Sequence, residues 1–247
     1  MENPYEREDR QFRKFRRTNP GASFAQYSMS RVMEFISNGR EFKASSALAL
    51  AHANPSEFWN AAEQKAKKWF KVMSLRPDHR VIEYGCGSLR LGAHFIRRLD
   101  RGNYFGLDVI DGFFDLGVNA MGRDLFEIKA PQLRVIDDDA IAAGQEFAAD
   151  IVFSNLVCVH VHPDEIDAYF RNLSRLTCKP GARLIFNAMI SGGVHRFTYN
   201  SWTQPIEIIT RSLRDMDMVR SDTYDPKTMD GVEMTPIEFE FRRATAL

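Results

Sequence analysis

Cysteine is scarce in this sequence, and neither sign of charge is in excess. The 247 residues include three cysteines, Cys86, Cys158 and Cys178, too few and too odd in number for a disulfide framework, which favours a reducing compartment. The 33 basic residues balance 33 acidic ones, so no overall charge draws the chain to nucleic acid or to a membrane surface. Apolar runs fall short of the roughly 18 residues of a membrane span, and the first residues lack a signal-peptide core. We therefore expect a cytoplasmic protein without a membrane partner.

The composition is that of a globular protein with a charged beginning. Hydrophobic residues make up 44% and charged residues 27% of a chain long enough for one large α/β domain with a small appendage. Residues 1–53 are predicted to form an N-terminal arm and cap helices, and residues 54–247 the main domain. Several basic residues cluster between positions 13 and 17. Such a segment is typical of a solvated or mobile arm, with phosphate binding as the alternative.

Strands alternate with helices over the rest of the chain. A helix begins at Asn54, a favoured N-cap, with Pro55 at its first position, and ends before Pro77. Short apolar strands are predicted at 80–84, 104–109, 133–136, 150–155, 183–189, 218–223 and 237–241. Because parallel strands need crossover connections, the helices between them predict a mostly parallel sheet covered on both faces. The last two strands lack a full helix between them, which predicts an antiparallel hairpin at one edge.

A glycine-containing turn follows the first predicted strand. Glu83 and Tyr84 lead into Gly85, Cys86 and Gly87, and a strand that runs into Gly-x-Gly brings its backbone close to a ligand without interference from Cβ atoms. The N-terminus of the helix that follows then faces the same ligand.

An acidic residue lies at the end of the strand that follows this turn. Asp108 ends the next strand, 23 residues after Gly85, where a carboxylate can accept hydrogen bonds from ribose hydroxyls. Dinucleotide-binding proteins need a third glycine in Gly-x-Gly-x-x-Gly, but Arg90 occupies that position and Gly92 comes two residues later. A nicotinamide or flavin dinucleotide is therefore disfavoured, and an oxidoreductase is the weakest of the alternatives.

Four stretches, in the right order, resemble the class I S-adenosylmethionine-dependent methyltransferases. They are Glu-Tyr-Gly-Cys-Gly-Ser at 83–88, Phe-Gly-Leu-Asp-Val at 105–109, Asp-Ile-Val-Phe-Ser-Asn at 150–155 and the lead into the fifth strand at 176–186. The resemblance covers about residues 58–241. It implies a Rossmann-like α/β fold with a seven-stranded, mostly parallel sheet in the order 3-2-1-4-5-7-6, strand seven antiparallel, helices on both faces and an N-terminal helical extension. It also implies S-adenosyl-L-methionine as the cofactor.

The resemblance implies roles for the residues of the glycine turn. Gly85, Cys86 and Gly87 would lie along the methionyl and ribose portions of the cofactor. Glu83 would orient the turn or receive the cofactor's ammonium group through water. Arg90 would pair with the cofactor carboxylate, because a guanidinium matches a carboxylate, or it would be a helix-surface arginine.

The later motifs imply the rest of the cofactor site. Asp108 would bind the ribose hydroxyls, and Val109 would touch the adenine. After the third strand the family places an acid near the adenine amino group, and Asp138 is predicted there, with its neighbours Asp137 and Asp139 as alternatives. Asn155 would close the pocket at the end of the fourth strand.

Histidines after the fourth strand are the candidates for catalysis. His160 is predicted as a general base, because imidazole titrates near neutrality, with a role in holding the loop as the alternative. A metal site at His160 and His162 lacks a third ligand in the sequence, so no metal is predicted. His195 and Tyr199, in the loop after the fifth strand, are secondary candidates for the acceptor pocket.

The predicted activity is methyl transfer to an oxygen or nitrogen atom of a small molecule or sugar, by in-line displacement. The fourth strand does not end in the Asn/Asp-Pro-Pro-Tyr/Phe pattern of enzymes that methylate exocyclic base amines, so a nucleic-acid partner is disfavoured. Two alternatives remain: a nucleic-acid or protein methyltransferase that uses the basic N-terminal arm, and a non-catalytic binding module of the same fold. The sequence leaves a homodimer open.

Overall fold

The computed structural model describes residues 4–38 and 55–245. The helices are α1 (Pro4–Thr18), α2 (Phe24–Ser37), α3 (Pro55–Met73), α4 (Gly92–Arg98), α5 (Phe114–Met121), α6 (Arg123–Lys129), α7 (Asp138–Phe147), α8 (Ile166–Leu176) and α9 (Ile206–Ser212). The strands are β1 (Val81–Tyr84), β2 (Tyr104–Asp108), β3 (Gln132–Val135), β4 (Ile151–Ser154), β5 (Arg183–Ile190), β6 (Arg196–Thr198), β7 (Ser201–Trp202), β8 (Met216–Thr223), β9 (Lys227–Met229) and β10 (Val232–Arg243). The predicted N-cap Asn54 and the predicted domain boundary lie outside the described residues.

The main sheet has the predicted order. Its strands run β3-β2-β1-β4-β5-β10-β8, and β9 pairs with β10 as an eighth strand that the sequence did not predict. Strands β1 to β5 are parallel, whereas β10 is antiparallel to both β5 and β8. With β8 and β10 counted as strands six and seven, the order 3-2-1-4-5-7-6 is confirmed. A separate two-stranded hairpin joins β6 to β7.

Helices cover both faces of this sheet, as predicted. Strands β1 and β4 are buried along their whole length. On one face Phe105 and Phe170 belong to a core closed by α7, α8 and α9. On the other face Trp69, Phe95 and Phe153 pack together under α3 and α4. The alternation of side chains along each strand supplies both cores, since neighbouring residues point to opposite faces.

The charged beginning of the chain is a folded helix and not the mobile arm that its composition predicts. Phe12 on α1 is 4% exposed and packs with Phe24, Tyr27 and Trp202. The Arg31 guanidinium donates to Glu8 Oε1 at 2.7 Å and so ties α2 to α1. The aromatic cluster explains why this segment is folded, because burial of its rings stabilises a helix whose other residues are mostly charged. None of the described helices is long and apolar enough to cross a membrane.

Candidate functional site

The turn after β1 is fastened to the neighbouring strand. The backbone N–H groups of Gly85 and Cys86 both donate to the Leu107 carbonyl, at 2.7 and 3.0 Å. Gly85 and Gly87 have φ angles of 81° and 52°, in the left-handed region that favours glycine. A Cβ built on Gly87 would have no atom within 4 Å, so the outer side of the turn is open. The turn is therefore a fixed cradle with room for a ligand.

Asp108 faces this cradle from the end of β2. Its carboxylate accepts hydrogen bonds from the backbone N–H groups of Gly87 at 2.7 Å and of Val109 at 2.8 Å. Burial raises the pKa of Asp108 above its usual value, and the backbone hydrogen bonds oppose the rise. Each carboxylate oxygen keeps a further lone pair that can accept from a ligand hydroxyl.

Glu83 lies beneath the cradle. Its Oε2 accepts a hydrogen bond from the Tyr104 hydroxyl at 2.5 Å, and a Cβ built on Gly92 would lie 3.0 Å from the same oxygen. Burial raises the pKa of Glu83 to about 8. The side chain thus lies under the start of α4, and both predicted roles, orienting the turn and receiving an ammonium group through water, stay predictions.

Leu89 is a feature of the cradle that sequence reasoning missed. It is fully buried and has a φ angle of 57°, which strains a residue with a Cβ. A Cβ built on Gly117 of α5 would lie 2.7 Å from the Leu89 Cβ, so that glycine leaves the space that the leucine fills. Backbone strain of this kind concentrates at functional sites, and no sequence pattern predicted it at Leu89.

Cys86 and Arg90 differ in what they can offer a ligand. Burial raises the pKa of the Cys86 thiol far above its usual range, so the thiol stays neutral and unreactive. Arg90 is partly buried, and desolvation lowers its pKa. Burial and the Arg90 charge together lower the pKa of Lys65 on α3. Two cations near one side of the turn create a positive potential that suits a carboxylate.

The loop after β4 closes onto the cradle. Asn187 joins β5 to this loop, because its amide donates to Asn155 Oδ1 at 2.8 Å and its Oδ1 accepts from the Leu156 N–H at 2.6 Å. A Cβ built on Gly85 would lie 2.2 Å from a Val157 methyl group. Asn155 therefore follows the end of β4 and is hydrogen-bonded to β5, and its role in closing the pocket stays a prediction.

The three acids after β3 are all exposed. Asp137 caps α7 by accepting from the Ala140 N–H at 2.7 Å. The Asp138 side chain is 98% exposed, and the Arg175 guanidinium lies 3.4 Å from it. The assignment of Asp138 to the adenine stays a prediction.

The two histidines after β4 lie in different surroundings. His160 Nδ1 is 2.9 Å from the Asn200 carbonyl and 3.2 Å from the Ser201 hydroxyl. Desolvation lowers the pKa of His160, and the hydrogen bond to Asn200 opposes this. His162 instead stacks on Phe24 at a centroid distance of 5.5 Å. Within residues 4–38 and 55–245, no group of three His, Cys, Asp or Glu side chains could hold a metal ion.

The N-terminal helices cover one side of the site. The Gln26 amide of α2 donates to the Val109 carbonyl at 3.4 Å, and Val32 packs on Phe113 just after β2. The Phe24 N–H donates to Glu165 at 2.9 Å, so α2 is also held by the segment that follows β4. These contacts make α1 and α2 a lid over the ends of β2 and β4.

The hairpin of β6 and β7 supports this lid. Arg196 donates to Asp9 Oδ1 at 2.8 Å, and its guanidinium lies 4.8 Å from the Trp202 ring centre. His195 and Tyr199, the secondary candidates, are both exposed on this hairpin and its approach. Burial of the Tyr199 hydroxyl raises its pKa.

Comparisons with known proteins give structural matches only. No family profile and no curated protein matches the sequence. A [4+2]-cyclase, SpnF, superposes with a TM-score of 0.58 at 13% identity, over 76% of this chain and 83% of its own. Magnesium protoporphyrin IX methyltransferase from Synechocystis PCC 6803 has a TM-score of 0.55 at 14% identity, over 90% of this chain and 96% of its own.

A putative sarcosine dimethylglycine methyltransferase from Galdieria sulphuraria matches with a TM-score of 0.53 at 10% identity, over 77% of this chain and 88% of its own. At these identities the matches bear on the fold. Together with the strand order and the glycine turn after β1, they show that the chain has the fold of the class I S-adenosylmethionine-dependent methyltransferases.

Proposed function

We propose that the protein is an S-adenosylmethionine-dependent methyltransferase that acts on an oxygen or nitrogen atom of a small molecule or sugar. The observation that carries this proposal is the buried Asp108 carboxylate, held at the end of β2 against the open cradle of Gly85 to Gly87. The methyltransferases among the structural neighbours support it, since one of them is described with S-adenosylhomocysteine bound.

The residues around the cradle fit the cofactor. Asp108 would accept hydrogen bonds from its ribose hydroxyls, with Val109 against the adenine and Asp138 near the adenine amino group. Arg90 would attract its carboxylate. The backbone of Gly85, Cys86 and Gly87 would lie along the methionyl and ribose portions of the cofactor. Asn155 would close the pocket.

The protein's part in the chemistry is to orient, to exclude water and to take up a proton. When bound, S-adenosylmethionine supplies a methyl group on a positively charged sulfur that leaves as a neutral thioether. The lid of α1 and α2 would shield the bound cofactor from water, and the walls of the site would hold the acceptor atom in line, which is catalysis by proximity. His160, with Nδ1 donating to the Asn200 carbonyl, keeps Nε2 as an acceptor for the proton that a hydroxyl or amine loses on methylation.

Ligand-dependent stabilisation tests this function. S-adenosylhomocysteine, S-adenosylmethionine and NAD are titrated separately in a thermal-shift assay. A ligand at about 100 times its Kd adds about 2.7 kcal/mol, which for a domain of this size raises Tm by roughly 5–10 °C. The adenosyl-sulfur ligands should give this rise, NAD should not, and Asp108→Asn should abolish it. The exposed Asp124 provides the matched control Asp124→Asn. A folded wild type without a shift contradicts the proposal.

One alternative keeps specific support. The [4+2]-cyclase among the neighbours shows that a protein with this fold is described with another activity. Binding of S-adenosylhomocysteine without methyl transfer to any acceptor would favour such a role. The nucleic-acid alternative loses support, because Arg16 of the basic cluster is engaged with Glu165 at 3.4 Å and with the Ala22 carbonyl at 2.9 Å.

A further inference from the structure

A second cavity opens at the same edge of the sheet as the glycine cradle. It has a volume of about 450 Å³ and lies between the carboxyl ends of β4 and β5, the amino-terminal half of β10 and the side of α3. Its walls are largely apolar, with Leu156, Val159, Met189 and Ile237 among them. This volume and this lining are those of a site for a small organic molecule.

The polar feature of this cavity is a buried and incompletely bonded carboxylate. Glu238 on β10 is 6% exposed, and its Oε1 accepts a hydrogen bond from the Lys68 ammonium group of α3. Lys68 also donates to the Tyr224 hydroxyl at 2.9 Å. The other oxygen, Oε2, is buried and has no hydrogen-bond partner among the residues that the structure describes. A buried acceptor without a donor is costly, and a ligand that brings one would remove that cost.

The charges around the cavity determine what kind of donor fits. Lys68 and Lys227 balance Asp225 and Glu238, so the charged lining residues sum to zero. An ammonium ligand would meet the Lys68 cation beside Glu238, and a carboxylate ligand would offer no donor to Oε2. A hydroxyl group brings a donor and no charge, and it therefore matches the site.

The loop after β4 connects this cavity to the cofactor cradle. Leu156 lines the cavity, whereas the next residue, Val157, touches the cradle at Gly85. Leu156 has a φ angle of 58°, and its N–H is held by Asn187, which lines the cavity as well. A ligand in the cavity would thus lie one loop residue away from the cradle.

We propose that this cavity is the acceptor subsite and that it takes an uncharged, largely apolar small molecule whose hydroxyl donates to Glu238 Oε2. The inference rests on the proposed methyltransferase function, since it names the substrate class for that activity. Glu238 holds the acceptor in this arrangement, and Lys68 keeps the carboxylate in place.

Binding of matched probes tests the subsite. A naphthol, its methyl ether and the corresponding naphthylmethylammonium ion are titrated calorimetrically into the full chain. We expect the naphthol to bind about tenfold more tightly than the ether, because only the naphthol donates to Glu238. The variant Glu238→Gln exchanges one acceptor for a donor and should remove this preference. Glu233→Gln, at an exposed residue of the same strand that does not line the cavity, should leave it within about twofold.

The outcomes separate this inference from the proposed function. Equal binding of naphthol and ether to the wild type, a preference for the ammonium ion, or an unchanged preference in Glu238→Gln would overturn the subsite. The wild-type comparison decides the matter even when the variant fails to fold. S-adenosylhomocysteine is titrated in parallel: its binding without a naphthol preference refutes the subsite alone, and a naphthol preference without its binding refutes the acceptor role together with the methyltransferase function.

Discussion

Two buried acids stand on either side of the glycine cradle, and their surroundings give them different chemistry. Asp108 is held by backbone N–H groups that favour its charged form, whereas Glu83 meets a phenol hydroxyl in an apolar setting. Burial raises the pKa of both, that of Glu83 to about 8, whereas at Asp108 the backbone hydrogen bonds oppose the rise. Asp108 is therefore suited to accept hydrogen bonds as an anion, and Glu83 to remain a neutral support.

Glu83 should make the folded protein less stable as the pH rises. Its pKa of about 8 in the fold exceeds the value of 4.5 for an unperturbed group, so the folded chain keeps a proton that the unfolded chain releases between these limits. The contribution is complete below the lower value and is lost as the pH passes the higher one. We expect the unfolding free energy to fall by up to about 5 kcal/mol across this window. Urea titrations at a series of pH values measure it, and an equal slope in Glu83→Gln would contradict the assignment.

Alanine substitutions at Gly85 and Gly102 separate the cost of backbone strain from that of a steric clash. Both have positive φ angles, 81° and 77°, but only at Gly85 would a Cβ meet another atom, the Val157 methyl at 2.2 Å. Gly102→Ala should cost about 1 kcal/mol of stability, and Gly85→Ala roughly 2–4 kcal/mol together with a loss of S-adenosylhomocysteine affinity. Adding Val157→Ala should recover part of the difference. Equal costs at the two glycines, measured by denaturant titration, would exclude the crowding.

At the scale of elements, the lid depends on a few contacts at its edges. Glu165 accepts hydrogen bonds from the N–H of Phe24 at the start of α2 and from Arg16 of α1. It therefore acts on both helices at once, as an acid at a helix N-terminus and as an ion-pair partner. The sheet beneath does not depend on these contacts.

Removing Glu165 should loosen the lid without unfolding the domain. In Glu165→Ala we expect amide hydrogen exchange to quicken in α1 and α2 and to stay unchanged in β1, β4 and β5. Cofactor affinity should fall several-fold, because Gln26 would no longer be held beside Val109. Asp167→Ala, at an exposed residue that forms an ion pair with exposed Arg211, serves as the control. A uniform rise in exchange across the sheet would mean that Glu165 supports the whole fold instead.

The strands of the site were predictable, and several helices were not. Strands β1, β2 and β4 are mostly apolar and are buried along their whole length, and such short runs can be recognised in a single sequence. Helix α1 escaped prediction because its partner Trp202 lies far along the chain. Helices α6 and α7 were missed as well. Tertiary contacts decide elements of this length.

At the scale of the whole molecule, balanced charge argues against a polyanionic partner. The formal net charge is zero, and Arg16 of the basic cluster on α1 forms an ion pair with Glu165 within the fold. We expect no measurable binding of duplex DNA or RNA at about 0.15 M salt, and only a shallow salt dependence below it. Fluorescence anisotropy with a labelled duplex measures this. Tight binding with a steep salt slope would instead favour the nucleic-acid alternative.

The motifs of the site could be predicted from the sequence, but the contacts that join distant elements around it could not. The cradle and Asp108 follow from residue types and their spacing along two adjacent strands. The Lys68–Glu238 ion pair joins α3 to β10. Because the two residues are 170 positions apart in the sequence, no local sequence pattern predicts the pair. The strain at Leu89 depends on the space above Gly117, which is set by packing between elements. Contacts between distant parts of the chain are what a single sequence conceals.

The packing of the lid on Trp202 affects the order in which parts of the chain fold during translation. Phe12 and Phe24 leave the ribosome before Trp202, the ring that packs with them, which follows about 180 residues later in the sequence. At roughly 5–20 residues per second, these aromatic side chains wait on the order of ten seconds or more for their partner. In that interval the aromatic side chains of α1 and α2 are exposed to solvent and can bind other proteins. The two helices can therefore complete their packing only after Trp202 has been made, and we expect a chaperone to bind them until then.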